Sequence, residues 1–591
     1  MITGQATQPI CRYAAWLTIV LGLAGSACSD SGDDVAIGPK LVVISVVGIN
    51  DVHGELSSSP GRGGLTTLSG YVDALRALRA ESEGGVLLID AGDMWQGTLD
   101  SNLNEGAAVV SAFNALGVAA AAIGNHEFDF GPVGPMAIPQ SDADDPQGAL
   151  KLRATEAEFP LLAANLIDLS TNLPVDWPNV QPSTMVEVAG INIGIIGVMT
   201  ERALAVSIAA NTVGLRVAPL TETIIREARI LRDNGASLVI VTAHAGSFCE
   251  DFDDPMDLSS CDLAGEIMRV ASELPPGLVD HINAGHVHRG IAHVVNGVSI
   301  TSSFASTRAF SRVDFTLDKN TGEIQQRQVF APHDLCSFTH TDTGQCASPD
   351  DDLDTIVVAR YEGYPILPNS AVAAIADNAA TIVNKKKTEK LGIVLDTAIT
   401  LEGGPESALG NLLTDAVLQS IDADIYLHNV VGGIRANLPA GELTFGKVFN
   451  IMPFDNRVVV LDLSGAELRR IMEKQAHRTG LRAGFSGMRV YVECTDDQMA
   501  IRMNLADGRD IEDNERVMVA VSDFLALGGD GILQPAMPDE GFQYSNDLPL
   551  IRDVLVDWFT KIGQQEGQRQ VVDLKTPRWI LPDFLPASCA L

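Results

Sequence analysis

Short runs of consecutive apolar residues punctuate the first half of the chain, most of them ending in Gly, Asp, Asn or His. Val86-Leu87-Leu88-Ile89 is apolar at successive positions, as expected of a parallel strand covered on both faces. It runs into Asp90-Ala91-Gly92-Asp93-Met94-Trp95-Gln96-Gly97. Ile44 to Asn50 is a second such run, followed by Asp51-Val52-His53, and Ala119 to Gly124 a third, followed by Asn125-His126-Glu127-Phe128-Asp129. Thr66 to Ala80 carries Leu68, Val72, Leu75 and Leu78 on one side and predicts a helix that closes a strand–helix–strand unit. Val109 to Leu116 predicts another helix, and Gly131 to Glu156 a surface excursion. Val186 to Val198 reads as a hairpin leading into a buried strand, and Thr221 to Asn234 as a helix. Ser237 to Thr242 is the strand that delivers His244. Val279 to Ala284 delivers Gly285-His286-Val287-His288, and Val294 to Thr301 is a further strand.

Cys336 to Asp354 is acidic and has no hydrophobic period, so a first domain is expected over 41–350. Residues 351–387 read as a helical linker, with Pro365 and Pro368 interrupting it and Asn384-Lys385-Lys386-Lys387 as a solvated turn. A second α/β domain is expected over 388–580, with helices at Leu409 to Ser420 and Ser464 to His477. It also holds a turn at Gly432-Gly433 and the loop Leu527-Gly528-Gly529-Asp530-Gly531. Two domains suit 591 residues, too many for one core.

The formal net charge of −36 argues against polymeric nucleic acid and anionic membranes as partners. A small phosphate would bind only where cations reverse the local field. Arg12 followed by the apolar run Ala14 to Ala24, too short to span a bilayer, resembles an export signal over 1–28. A polar tether follows over 29–40. Ala24-Gly25-Ser26-Ala27-Cys28 resembles a lipoprotein cleavage box with Gly25 where Leu is usual; ordinary secretion with cleavage after Ala27 is the other reading. Cys249 with Cys261, and Cys336 with Cys346, each close a short polar loop and suggest local disulfides, which leaves Cys494 for Cys589. A zinc cluster is the rival, without a CxxC spacing to support it.

The strand ends present Asp51, His53, Asp93, Asn125, His126, His244, His286 and His288 in the order D-x-H, G-D, G-N-H-E, H, G-H-x-H. Two divalent cations a few ångströms apart need a bridging carboxylate with imidazole, carboxylate or amide ligands on either side. Asp93 is the natural bridge. A single His at a strand end is more often a hydrogen-bonded structural residue; the ordered set is what points to metal.

This pattern resembles the calcineurin-like metallophosphoesterases, and with the second domain it is similar to the 5′-nucleotidase/UDP-sugar hydrolase family. The resemblance covers nearly the whole mature chain. It implies a four-layer α/β/β/α metal domain followed by a smaller α/β substrate-binding domain that rotates towards the metals. It further implies that Asp51, His53, Asp93 and His288 hold one ion and Asp93, Asn125, His244 and His286 the other. Zn, Mn, Co and Fe are all candidates. Position 288 is Gln in nucleotidases of this family, whereas His is usual in the wider superfamily. By the same resemblance, metal-activated hydroxide attacks phosphorus in line while His126, oriented by Asp129, stabilises charge or protonates the leaving oxygen. The alternative for Asp129 is a helix cap.

The resemblance also assigns Phe454 and Phe524 as a stacking pair, Arg435 as a substrate-binding arginine and Asp530 as the ribose-binding acid; core packing is the alternative for each Phe. The family's N-G-G-G-I-R reads Val430-Val431-Gly432-Gly433-Ile434-Arg435, Gly403 stands for an arginine, and Leu527 for an asparagine. These readings make the chain an exported dimetal phosphoester hydrolase acting on nucleotides, as a monomer or weak dimer. 2′,3′-Cyclic nucleotides and UDP-sugars are alternative substrates. Thiosulfohydrolase chemistry and a catalytically silent nucleotide-binding surface lipoprotein are alternatives of other classes.

Overall fold

Leu41–Ile49 pairs in parallel with Gly85–Asp90, which pairs in parallel with Ala120–Ala122, so three carboxyl ends lie side by side. They belong to a seven-stranded sheet of order Ile324–Asp334, Ala309–Asp318, Leu41–Ile49, Gly85–Asp90, Ala120–Ala122, Leu161–Leu162, Val180–Gln181. These contacts come from a computed structural model that describes residues 40–59, 63–134, 136–347, 351, 353–401, 406–477, 483–495, 498–538, 541–544, 548–564 and 576–581. The export signal, Cys28, the rest of the tether up to residue 39, Gly403 and Cys589 lie outside the described residues, and so does the expected Cys494–Cys589 pairing.

A second sheet runs Gly290–Val295, Val298–Ser303, His281–Ala284, Leu238–His244, Ile191–Met199, Ser183–Val188. Leu238–His244 is parallel to both of its neighbours. Ile44, Val46, Leu87 and Ile89 of the first sheet pack against Ile193, Ile195, Leu238 and Ile240 of the second, which is why these strands are apolar on consecutive residues. Gly64–Ala80 and Ala107–Leu116 cover the outer face of the first sheet with Leu68, Val72, Leu75, Val109 and Phe113. Leu220–Asp233 and Glu266–Glu273 cover the second. The result is the four-layer α/β/β/α architecture. The sheets close up at Gly48, where a Cβ would lie 2.0 Å from Asn283 Oδ1. Thr242 Oγ1 donates to Asp90 O (2.6 Å) and Asn283 Nδ2 to Ile49 O (3.0 Å), drawing the strand ends of both sheets to one rim.

Val294 to Thr301 is not one strand. Asn296 and Gly297, both at positive φ (50° and 81°), turn the chain between Gly290–Val295 and Val298–Ser303, as an Asn-Gly pair at a hairpin does. The expected disulfides Cys249–Cys261 and Cys336–Cys346 are both present. The linker also differs from expectation. Ile356–Val358 pairs with Phe338–His340, and Arg360–Tyr361 with Tyr364–Pro365, before a single helix, Ser370–Lys387. Pro365 and Pro368 precede this helix; Asn369 caps it by accepting from the Ala371 amide. Lys385, Lys386 and Lys387 form its last turn, where cations meet the negative end of the helix dipole, and are not a separate turn.

Beyond Lys387, the sheet Val458–Ser464, Arg516–Ser522, Ile425–His428, Gly484–Ser486 carries helices Ala408–Leu418 and Gly465–Ala476. A capping box at Ser464 and Glu467 starts the second of these helices. Among the described residues no helix is long and apolar enough to cross a membrane.

A candidate dinuclear metal centre and its substrate cavity

Asp51 and His53 follow Leu41–Ile49, Asp93 follows Gly85–Asp90, and Asn125 follows Ala120–Ala122. His244 ends Leu238–His244, and His286 and His288 follow His281–Ala284. Ligand atoms of Asp51, His53, Asp93 and His288 gather within 4.8 Å of one another, and so do those of Asp93, His244 and His286, so Asp93 belongs to both groups. Asn125 Oδ1 lies 3.0 Å from His244 Nε2 and joins the second group.

The donor set fits divalent cations. His53 Nε2 faces His288 Nε2 at 3.1 Å, and His244 Nε2 faces His286 Nδ1 at 3.1 Å. Two imidazole nitrogens pointing at each other share at most one proton, whereas a common cation satisfies both lone pairs. His53 Nδ1 lies 2.8 Å from Gln96 O and His244 Nδ1 2.8 Å from Ala91 O, which puts the hydrogen there and turns Nε2 inward as a ligand. Asp51, His53, Asp93, His286 and His288 all sit at positive φ (50°, 49°, 57°, 73° and 59°), backbone that non-glycine residues adopt at a cost.

Burial and mutual charge tune the groups. Burial, with His244 adding to it, brings the His286 pKa down to about 4. Burial and the nearby Arg435 hold His53 well below the ordinary imidazole range. Both imidazoles are therefore neutral. Burial also opposes charge on His244, but Asp93, 3.2 Å away, outweighs it and raises His244 to about 10. Glu127 sits beneath the centre. Its Oε2 accepts from Asp93 N (2.9 Å) and Gly124 N (2.6 Å), and its Oε1 from Met94 N (2.8 Å), tying two strand-end turns to one carboxylate.

His126 Nδ1 meets Asp129 Oδ2 at 2.7 Å. Asp129 also stands at the C-terminal end of the short helical turn His126–Phe128. Burial disfavours the imidazolium, but Asp129 and Asp93 outweigh it and the His126 pKa is raised. On its other side His126 Nε2 lies 2.6 Å from Arg435 Nη2, and its ring stacks on Phe454 with centroids 6.0 Å apart. The Arg435 guanidinium covers the Phe454 ring at 5.2 Å. Phe524 and Asp530 complete the far wall of a cavity of about 200 Å³, into which Asp93, Asn125, His126, Asp129, His286 and His288 also open. Asp51, His53 and His244 are held behind this face, so the candidate metal, catalytic and substrate-binding residues all gather around one cavity.

Asn429 was missed. The polar residue thought lost to Val430 stands one position upstream, where Asn429 lines the cavity and donates through Nδ2 to Asp530 Oδ2 at 2.7 Å. Val431 (φ −77°, ψ 120°) and Gly432 (φ 88°, ψ −34°) break the helical turn Val430–Gly433 that follows Asn429. The signal was available: Asn429 directly follows the strand Ile425–His428. Asn102, Val206 and Ile208 also line the cavity, and no sequence pattern marked them.

Residues 387–538 match the family model of the 5′-nucleotidase C-terminal domain. The probable 5′-nucleotidase of Treponema pallidum is 26% identical over 541 residues, covering 83% of this chain and 86% of that protein. Endonuclease YhcR of Bacillus subtilis is 26% identical over 509 residues; that match covers 84% of this chain but only 38% of the longer protein. The crystal structure of the 5′-nucleotidase precursor of Thermus thermophilus superposes with a TM-score of 0.66 at 21% identity, over 92% of this chain and all of that one. Residues 387–538 thus carry a 5′-nucleotidase C-terminal domain, and over most of its length the chain is similar in sequence and fold to 5′-nucleotidases.

Proposed function

We propose that the chain is an exported, dimetal phosphoester hydrolase that releases phosphate from nucleotides. One observation carries the reading: two ligand groups sharing Asp93 open into a cavity whose opposite wall holds Arg435, Phe454, Phe524 and Asp530. Asp51, His53, Asp93 and His288 would hold one cation, and Asp93, Asn125, His244 and His286 the other. Bound there, divalent cations supply an activated water near neutral pH and neutralise phosphoryl charge.

The chain's own groups do the rest. Arg435 offers a guanidinium fork to phosphoryl oxygens. His126, with Nδ1 fixed on Asp129, turns Nε2 towards Arg435 and the cavity; once phosphoryl oxygens draw Arg435 away, that nitrogen is free to carry the proton that serves the leaving oxygen. Phe454 and Phe524 clamp a flat base, while Asp530, steadied by Asn429, accepts from sugar hydroxyls. The two disulfides suit an oxidising compartment outside the cytoplasm.

The test is phosphate release from AMP, UDP-glucose and 2′,3′-cyclic AMP after EDTA treatment and after Mn or Zn restoration. AMP should be turned over only with metal, and Asp93→Ala should remove the activity. Metal-restored protein that hydrolyses none of the three would favour a silent nucleotide binder, and preferred turnover of UDP-glucose or the cyclic nucleotide would reassign the substrate.

A further inference from the structure

The segment Ala203–Asn211 belongs to the metal half of the chain but has no part in holding metal. It consists of two short helical turns, Ala203–Val206 and Ala209–Asn211. Ser207 Oγ lies 2.8 Å from Ala203 O and 3.1 Å from Asn125 O, and Asn211 Nδ2 donates to Phe128 O (2.7 Å) and Ala137 O (2.8 Å). These bonds fix it to the loop that carries Asn125, His126 and Asp129. Ala203–Val206 packs against Gly529–Gly531 across the cavity. The Phe524 ring lies over Gly529, where a Cβ would come within 2.4 Å of it. Ile208 borders a small adjoining cavity with Asp455 and Asp523, the sequence neighbours of Phe454 and Phe524.

We propose that Val206 and Ile208 are specificity-determining residues forming a third, apolar wall of the base-binding end, supplied by the metal domain. The reading rests on the nucleotide assignment above. Two phenyl rings cover the faces of a flat base but leave its edge open. Val206 and Ile208, two aliphatic side chains that neither donate nor accept, line the same cavity. The wall therefore rewards the size of the organic group and not its hydrogen-bonding edge. Because Asn211 ties the segment to Phe128 O, the wall and the metal loop keep a fixed spacing, which gauges the distance from phosphorus to base.

Adenosine, which cannot be hydrolysed here, is the probe, titrated calorimetrically into the Mn-loaded chain. Val206→Ala and Ile208→Ala should each weaken its binding about tenfold, and Ile208→Leu should stay within about twofold of the parent. The ratio of kcat/KM for AMP to that for ribose 5-phosphate should fall about tenfold in the alanine variants. Equal adenosine affinity in the parent and Val206→Ala, whose side chain is only half-buried and whose loss the fold tolerates, would overturn the wall. Failure of the parent to bind adenosine would overturn it too. If the alanine variants weaken adenosine binding as expected but the parent releases no phosphate from AMP, the wall stands and the hydrolytic reading falls.

Discussion

His244 shows how one side chain can be poised for metal. It is fully buried, yet Asp93 keeps it protonated up to about 10 in the metal-free chain, while His286 is neutral above about 4. A cation at Asp93, Asn125, His244 and His286 must therefore expel the His244 proton. Apparent affinity should rise about tenfold per pH unit for one displaced proton between pH 6 and 8, read by Mn titration at fixed ionic strength. A flat profile would mean that His244 does not ligate. The same shift has a stability consequence of definite sign. A pKa raised above the unfolded value stabilises the metal-free fold fully below about 6.5, and this contribution is lost as pH climbs through about 10. At this scale the candidate ligands were legible because Asp, His and Asn after apolar runs have few structural uses in such an order. Asn429 was not, because its place in the cavity depends on non-helical backbone angles that Val431 and Gly432 do not announce.

At the level of elements, what matters is how turns from different strands are held in register. Glu127 binds the turn after Gly85–Asp90 and the turn after Ala120–Ala122 through three backbone amides. Glu127→Gln puts an NH2 where an amide must donate, so one amide loses its acceptor and Asp93 shifts. Metal affinity should fall about 10–100-fold, the scale typical of outer partners of metal ligands. Free Mn(II) measured by electron paramagnetic resonance checks this; unchanged affinity would reduce Glu127 to a dispensable buried acid. Strands that supply ligands were readable because both their faces are covered, which enforces consecutive apolar residues. The Asn296-Gly297 hairpin was overlooked although its dipeptide is a strong turn signal. Ala203–Asn211 was unreadable for another reason: its shape is set by Asn211 bonding to the distant carbonyls of Phe128 and Ala137, which leaves no periodicity.

Across the whole molecule, the cavity exists because the two halves meet. Arg435 reaches His126, Asn102 Nδ2 donates to Pro453 O at 3.2 Å, and Lys387 pairs with Asp100 at 2.7 Å. Leu99, Val383, Phe445 and Phe449 bury an apolar seam beside them. No periodicity in either half foretells such a seam, since each half alone leaves its contacts exposed. A net charge of −36 would exclude a phosphoester from the cleft unless cations reversed the field where it binds. Phosphoester binding therefore depends on two ions beside Asp93. Anomalous scattering at the manganese edge, from crystals grown with excess Mn, tests that most directly. Two peaks about 3.5–4 Å apart, one beside Asp51, His53 and His288 and one beside Asn125, His244 and His286, are predicted; a single peak, or peaks away from Asp93, would contradict it.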